Sequence, residues 1–398
     1  MNCVQKFEFY TPTKIYFGKG AETRAGELIR QMNKKSVMVL YGGGSAVRNG
    51  VLGRVEDSLK AAGIRYIVKG GVHANPYLAF AKEALEEARK EKVDFLLGVG
   101  GGSVLDTAKA VALGLANPQD DIWDYYLRKK VPTVSTPVGA VLTIPAAGSE
   151  TSNSSVLTNQ DGNLKRSCNL DINRPVFALM NPENTYTLPK YQIGCGIVDI
   201  MMHTTERYFT QEEGNELTDQ LAEAVLRVTI ENGSTAIQDS HNYEAMSELM
   251  WAGSLSHNGL TGLGVAATDF SCHQLGHELS AKYDVAHGAS LSAVWKAWAN
   301  YVYMTKPSRF ARYARKVWGV CETDDVKAAR MGIEKTVEYF KSLDMPVCLP
   351  ELNLGELTEE DLRELSFRCT YENTRRIGAF QVLDMEDVYH IYCAANEE

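Results

Sequence analysis

The sequence predicts an α/β domain with a parallel sheet over residues 1–184, followed by an all-helical domain over residues 185–398. Three observations carry this prediction. Short apolar runs trade places with helical stretches from 36 to about 182; glycine runs stand at two of the strand-to-helix turns; and past the Pro182 and Pro189 turn region strand signals almost vanish.

SVMVLY (36–41) reads as the clearest first strand, followed by GGGS and an amphipathic stretch ending near Gly63. IRYIV (64–68) is a second strand, AFAKEALEEARKEK (79–92) a charged helix and DFLLGVG (94–100) a third strand. A second GGGS leads into VLDTAKAVALGL, whose apolar residues recur at helical spacing, and further apolar runs follow at VLTIP (141–145) and PVFALM (175–180). In the second domain, helical patterns span Gly194 to Thr210, Asn215 to Glu231 and residues 324–343. A further helix opens at TEEDLREL, where Thr358 suits the cap and Glu360 and Asp361 suit the positive end of the helix dipole.

Composition narrows the function classes. The 398 residues carry 41 Lys and Arg against 50 Asp and Glu, a formal charge of -9, so the basic footprint of a nucleic-acid binder is missing. The start, MNCVQKFEFYTPTKIYFG, lacks a basic region followed by an apolar signal segment, and no run of 18 apolar residues occurs. A cytoplasmic protein with no membrane or nucleic-acid partner is expected. Eight cysteines without a CxxC pair fit neither a disulfide framework nor a thiolate zinc site, so free, mostly buried thiols are expected.

The two glycine turns point to phosphate. Glycines directly after a strand let the backbone approach a phosphate closely, and the following helix offers free N–H groups and a favourable dipole. Gly42, Gly43, Gly44 and Ser45 form one such turn; Gly100, Gly101, Gly102 and Ser103 form the other. Position 103 is Ser, so the GxGxxG fingerprint is not met and an ordinary Rossmann domain is not expected. In NAD-binding sheets an acid at a strand end grips the ribose hydroxyl and repels the extra phosphate of NADP. The first turn carries no acid and has Arg48 close behind, a setting that accepts a 2′-phosphate.

A second constellation points to a metal. Asp199 and His203 are four apart, so on a helix they project from one face and can share a cation. His273 and His287 can supply two more ligands, and one carboxylate with three imidazoles suits zinc or ferrous iron. His273 and His277 also stand four apart, but HExxH is absent, which excludes a zincin, and Ser149 lacks the GxSxG frame of a serine hydrolase. His73, His241, His257 and His390 match no pattern and are expected to be structural or surface residues.

With these residues in view, the chain resembles the iron-containing (group III) alcohol dehydrogenases, and among them the NADPH-dependent butanol dehydrogenase and aldehyde reductase branch. The resemblance covers nearly the whole chain: PTKIYFGKG near the start, GGGSxxDxAK at 100–109, LTIPAAGSETSNSS at 142–155, NPENTYTLP, VDIMMH, and the block from HQLGHEL at 273 to HG at 288. It implies a homodimer, an N-terminal dinucleotide-binding domain and an all-helical C-terminal domain. Asp199, His203, His273 and His287 fall on the family's metal positions, and His277 on a histidine near the nicotinamide. Gly42 to Ser45 match the adenosine-phosphate end and Gly100 to Ser103 the pyrophosphate turn; Asp106, Thr143, Ser149 and Lys165 sit in segments resembling other cofactor contacts. The implied reaction is hydride transfer between NADP(H) and a small aldehyde or alcohol, with one divalent ion, Fe2+ or Zn2+, as Lewis acid at the carbonyl oxygen. The competing expectation is a lyase like dehydroquinate synthase, but its phosphorylated substrate calls for several basic residues, and segments 199–210 and 270–290 hold only Arg207 and Lys282.

Overall fold

The computed structural model describes residues 6–397. The chain falls into two compact units. One comprises Tyr10–Leu188 together with Asp239–Ser254; the other comprises Pro189–Gln238 with residues 6–9 and 255–397.

The first unit holds eight strands: β1 (Lys14–Phe17), β2 (Ser36–Tyr41), β3 (Arg65–Lys69), β4 (Phe95–Gly100), β5 (Val138–Leu142), β6 (Ser154–Asn159), β7 (Leu164–Asn169) and β8 (Phe177–Met180). Six of them form a parallel sheet in the order β1-β8-β5-β4-β2-β3, while β6 and β7 make a separate antiparallel pair. Every residue of β4, β5 and β8 is buried, which is why these strands read as unbroken apolar runs: in a parallel sheet covered on both faces neither side meets water.

Helices α1 (Ala25–Gln31), α2 (Ser45–Arg48) and α3 (Val51–Ala61) lie along one face, where Leu28, Ile29, Val55 and Leu59 share a core with Val37, Val39 and Leu97. Helices α4 (Leu78–Lys90), α5 (Gly102–Ala116) and α6 (Trp123–Tyr126) cover the other, packing Leu85, Val111, Leu113 and Trp123 against Met38, Leu40 and Leu96. Trp123 is thus core.

The second unit is helical: α7 (Lys190–Tyr208), α8 (Glu216–Gln238), the end of α9 (Tyr243–His257), α10 (Ser271–Tyr283), α11 (His287–Val302), α12 (Pro307–Trp318), α13 (Asp325–Ser342), α14 (Glu359–Cys369) and α15 (Met385–Ala395). The apolar face of α12 drives Phe310 into an aromatic cluster, stacked on Phe209 at 4.1 Å and met edge-on by Phe380 at 5.5 Å. Thr358 and Asp361 close a capping box at the start of α14, as the TEEDLREL pattern predicts.

Three features differ from the sequence expectation. The strand expected at 141–145 runs from Val138 to Leu142, because Gly139 and Ala140, weak as apolar signals, are needed there: a Cβ at Gly139 would sit 2.5 Å from the Phe177 ring. Strands β1, β6 and β7 were not expected, since they are short and mixed in polarity. Residues Asp239–Ser254 return to the α/β unit rather than staying with the helices after 184, with Met250 joining Leu105, Ala140 and Met180 in a small core. Such a return is a long-range packing event with no local signature. Seven described cysteines are free, and Cys168, Cys272, Cys348 and Cys369 are buried; Cys3 lies outside the described residues.

Candidate metal centre and nucleotide turns

Helix α7 builds most of the first site. Asp199 and His203 project from one face, and within 4 Å of the single oxygen Asp199 Oδ1 lie His203 Nδ1 at 3.2 Å, His273 Nε2 at 3.6 Å and His287 Nε2 at 3.8 Å. His273 comes from the first turn of α10 and His287 opens α11. Ligand atoms of Asp199, His203 and His273 all lie within 4.8 Å of one another. Asp199 Oδ1, His203 Nδ1 and His273 Nε2 are buried and hydrogen-bond to no protein group. Buried polar atoms are ordinarily satisfied, so three of them converging on one point is the arrangement a cation completes. The donor set fits a divalent transition metal.

The electrostatics of His203 agree with that fit, while those of His273 run the other way. Burial, reinforced by the neighbouring imidazoles of His257 and His273, holds His203 well below the ordinary histidine range, so it stays neutral with a lone pair to offer. For His273 burial pushes the same way, but the carboxylates of Glu206 and Asp199 outweigh it and raise the imidazole to about 9. Glu206, also on α7, accepts from the His273 backbone N–H at 3.0 Å and pairs with its Nδ1.

His277 flanks this group, its ring centroid 5.4 Å from His287 and 6.2 Å from His273. His257, which matched no sequence pattern, stacks on the His203 ring at 3.9 Å. That contact joins the end of α9 to α7 across more than fifty residues, so no spacing announces it. Glu206 did leave a signal, standing seven after Asp199 and three after His203 on the same helical face. Arg207 points elsewhere, donating to the His203 carbonyl at 2.7 Å and lying over the Phe270 ring.

The glycine turns lie in the α/β unit, at the carboxyl ends of the neighbouring strands β2 and β4. From β2 the chain moves outward to β3 and then returns to the other side of β2, so a topological switch point falls between β2 and β4, where open α/β sheets bind ligands. Gly44 is at φ 95°, a conformation that side chains strain to adopt, and a Cβ at Gly101 would lie 2.3 Å from Ile144 Cγ2.

A third segment, 70–77, meets both turns: Gly71 N–H donates to Gly42 O at 3.3 Å, and Ser103 Oγ donates to Ala74 O. Its His73 ring stacks on Tyr77 at 4.4 Å. Its contacts to the two turns use its own backbone groups, which leave no pattern in the sequence.

The remaining expected contact residues are each held by hydrogen bonds within the α/β unit. Ser149 Oγ donates to Asp106 at 2.8 Å, Lys165 Nζ to Asn75 at 2.9 Å, and the Thr143 N–H to Gly100 O at 3.2 Å. Burial raises the Asp106 carboxyl to about 6. Lys109, fully buried, donates to Ser149 O, Ser149 Oγ and Ser154 O within 2.8 Å and to Ser152 O at 3.2 Å, and so pins segment 149–154 to α5. Burial pushes its ammonium down to about 8, although Asp106 and Glu150 pull upward.

Comparison with known proteins decides the lineage. The model of the iron-containing alcohol dehydrogenase family matches residues 12–182, and that of the Fe-containing alcohol dehydrogenase family's C-terminal region matches 194–396. The chain belongs to the iron-containing alcohol dehydrogenases. It is 37% identical over 389 residues to NADH-dependent butanol dehydrogenase A of Clostridium acetobutylicum, covering 97% of this chain and 98% of that protein. It is 36% identical over 354 residues to the NADPH-dependent aldehyde reductase YqhD of Escherichia coli, covering 88% and 90%. The crystal structure of NADH-dependent butanol dehydrogenase A from Thermotoga maritima superimposes with a TM-score of 0.95 at 36% identity over 100% of both chains. Membership makes the chain an oxidoreductase of a family that implies a nicotinamide cofactor and a divalent metal, which answers the lyase alternative. No helix among the described residues is long and apolar enough to cross a membrane.

Proposed function

We propose that this protein is a metal-dependent aldehyde reductase and alcohol dehydrogenase that interconverts a small aliphatic aldehyde and its primary alcohol, butanal and butanol being representative, with NADP(H). The observation that carries the reading is the convergence of Asp199, His203 and His273 on one buried point with His287 beside it. When bound, the metal supplies Lewis acidity at the substrate oxygen and the reduced nicotinamide supplies hydride. Asp199 and the three imidazoles hold Fe2+ or Zn2+, both of which accept this donor set. His277 flanks that group, 5.4 Å from the His287 ring and 6.2 Å from the His273 ring, and its proposed role is to hydrogen-bond the reacting oxygen and pass a proton at its imidazole nitrogen.

In the α/β unit, the turns at Gly42–Ser45 and Gly100–Ser103 offer backbone N–H groups to phosphates, and the start of α5 adds its dipole. NADPH is favoured over NADH because no acid stands at the β2 turn and the Arg48 guanidinium lies 3.3 Å from where a Gly44 Cβ would be. Relatives named for each cofactor exist, so this preference is a property to measure on this chain. Asp106, Ser149, Lys165 and Thr143, each held by its hydrogen bonds, shape the cofactor site. The working unit is proposed to be a cytoplasmic homodimer. The test is spectrophotometric: the enzyme should oxidise NADPH in the presence of butanal, at higher kcat/KM than NADH. Absence of turnover with any short aldehyde under metal-replete conditions overturns the reading, and equal efficiency with both nucleotides overturns the cofactor preference.

A further inference from the structure

A buried carboxylate that belongs to no expected ligand set touches the metal centre from behind. Glu206 is fully buried, one helical turn beyond His203 on α7, and both of its oxygens are engaged by a single residue of α10. Oε1 accepts the His273 backbone N–H at 3.0 Å, and Oε2 pairs with His273 Nδ1. Fixing Nδ1 in this way leaves the opposite nitrogen, Nε2, directed at Asp199 Oδ1, 3.6 Å away. The Glu206 carbonyl meanwhile accepts the Asp269 N–H at 2.8 Å, which ties α7 to the segment two residues before α10.

We infer that Glu206 is a positioning residue for the metal: it sets the tautomer and orientation of His273 so that Nε2 carries the lone pair, and it anchors the start of α10 where that ligand stands. The inference rests on the metal reading above. One face of α7 then delivers Asp199 and His203 directly and His273 through a carboxylate, at positions i, i+4 and i+7. A carboxylate behind a ligating imidazole raises its basicity and removes the entropy of ring rotation, and losing such a partner typically weakens metal binding by about 10- to 100-fold.

The alternative is that Glu206 merely satisfies a helix start, and the two roles separate by measurement. Wild type, Glu206→Ala and Glu206→Gln are stripped of metal and titrated with Zn2+ against a chromophoric chelator, and the absorption spectrum of the Co2+ form is recorded for each. Glu206→Ala should bind Zn2+ about 10- to 100-fold more weakly and shift the Co2+ ligand-field bands. Glu206→Gln keeps one carbonyl acceptor and should recover part of both. Zn2+ affinity and Co2+ spectrum unchanged in a folded Glu206→Ala protein overturn the inference while leaving the metal site standing. A wild-type protein that binds no metal overturns both. If Glu206→Ala does not fold, Glu206→Gln with wild-type affinity and spectrum overturns it equally.

Discussion

The proposed metal centre and the proposed nucleotide turns are built on opposite principles. At the centre, three imidazoles from three helices converge on one oxygen of Asp199, so identity matters at each position and the backbone is only a carrier. At the turns the backbone itself is the reagent, and what matters is that side chains are missing: Gly101 leaves no room for a Cβ, and Gly44 holds a φ that favours glycine. The side-chain site should therefore fail all at once when one residue is truncated, whereas the backbone site should degrade by steps.

The largest effect is expected at the centre. His203→Ala removes a buried donor from the Asp199 cluster, and bound metal and turnover should fall together. Elemental analysis showing full metal content in that variant breaks the contrast at its root. His277→Ala sharpens it: metal and fold should persist while kcat drops on the order of 10²-fold, the scale typical of acid–base groups. Loss of metal would make His277 a ligand, and unchanged kinetics would make it structural.

Smaller effects are expected at the turns. Gly101→Val forces Ile144 aside and should cost roughly 1–3 kcal/mol of stability, as overpacking commonly does, while raising KM for the nucleotide and leaving KM for the aldehyde near wild type. A Tm and a nucleotide KM both unchanged would show that the close approach is dispensable. The smallest effect is Gly43→Asp, chosen because Gly43 has open space around its Cβ position, unlike Gly44 with its strained φ. A carboxylate near a 2′-phosphate at the protein surface is worth about 1 kcal/mol, so kcat/KM with NADPH should fall roughly fivefold relative to NADH. An unaltered ratio would place the 2′-phosphate elsewhere.

The same contrast explains how much the sequence disclosed. The pair Asp199 and His203 was legible because helical period puts i and i+4 on one face, and the apolar runs at 36–41 and 94–100 were legible because a doubly covered strand has no polar side. Glu206 obeyed the same period and was overlooked because an acid near the end of a helix reads as solvated surface; in the structure it is buried. His257 reaches His203 only through tertiary folding, and segment 70–77 reaches the glycine turns through backbone groups, neither of which leaves a pattern in one dimension. Lys109 lay in plain view within GGGSxxDxAK, yet four hydrogen bonds to a single segment become visible only once that segment is folded over α5.

The cluster around Asp199 is proposed to hold a metal that aldehyde reduction requires. The direct test removes the metal from wild-type protein with a chelator, confirms its absence by elemental analysis, and follows NADPH oxidation with butanal before stripping, after stripping, and after returning one equivalent of Fe2+ or Zn2+. Turnover should be lost on stripping and should recover with saturation near one metal per chain. Metal-free protein that still reduces butanal at the original rate would contradict it.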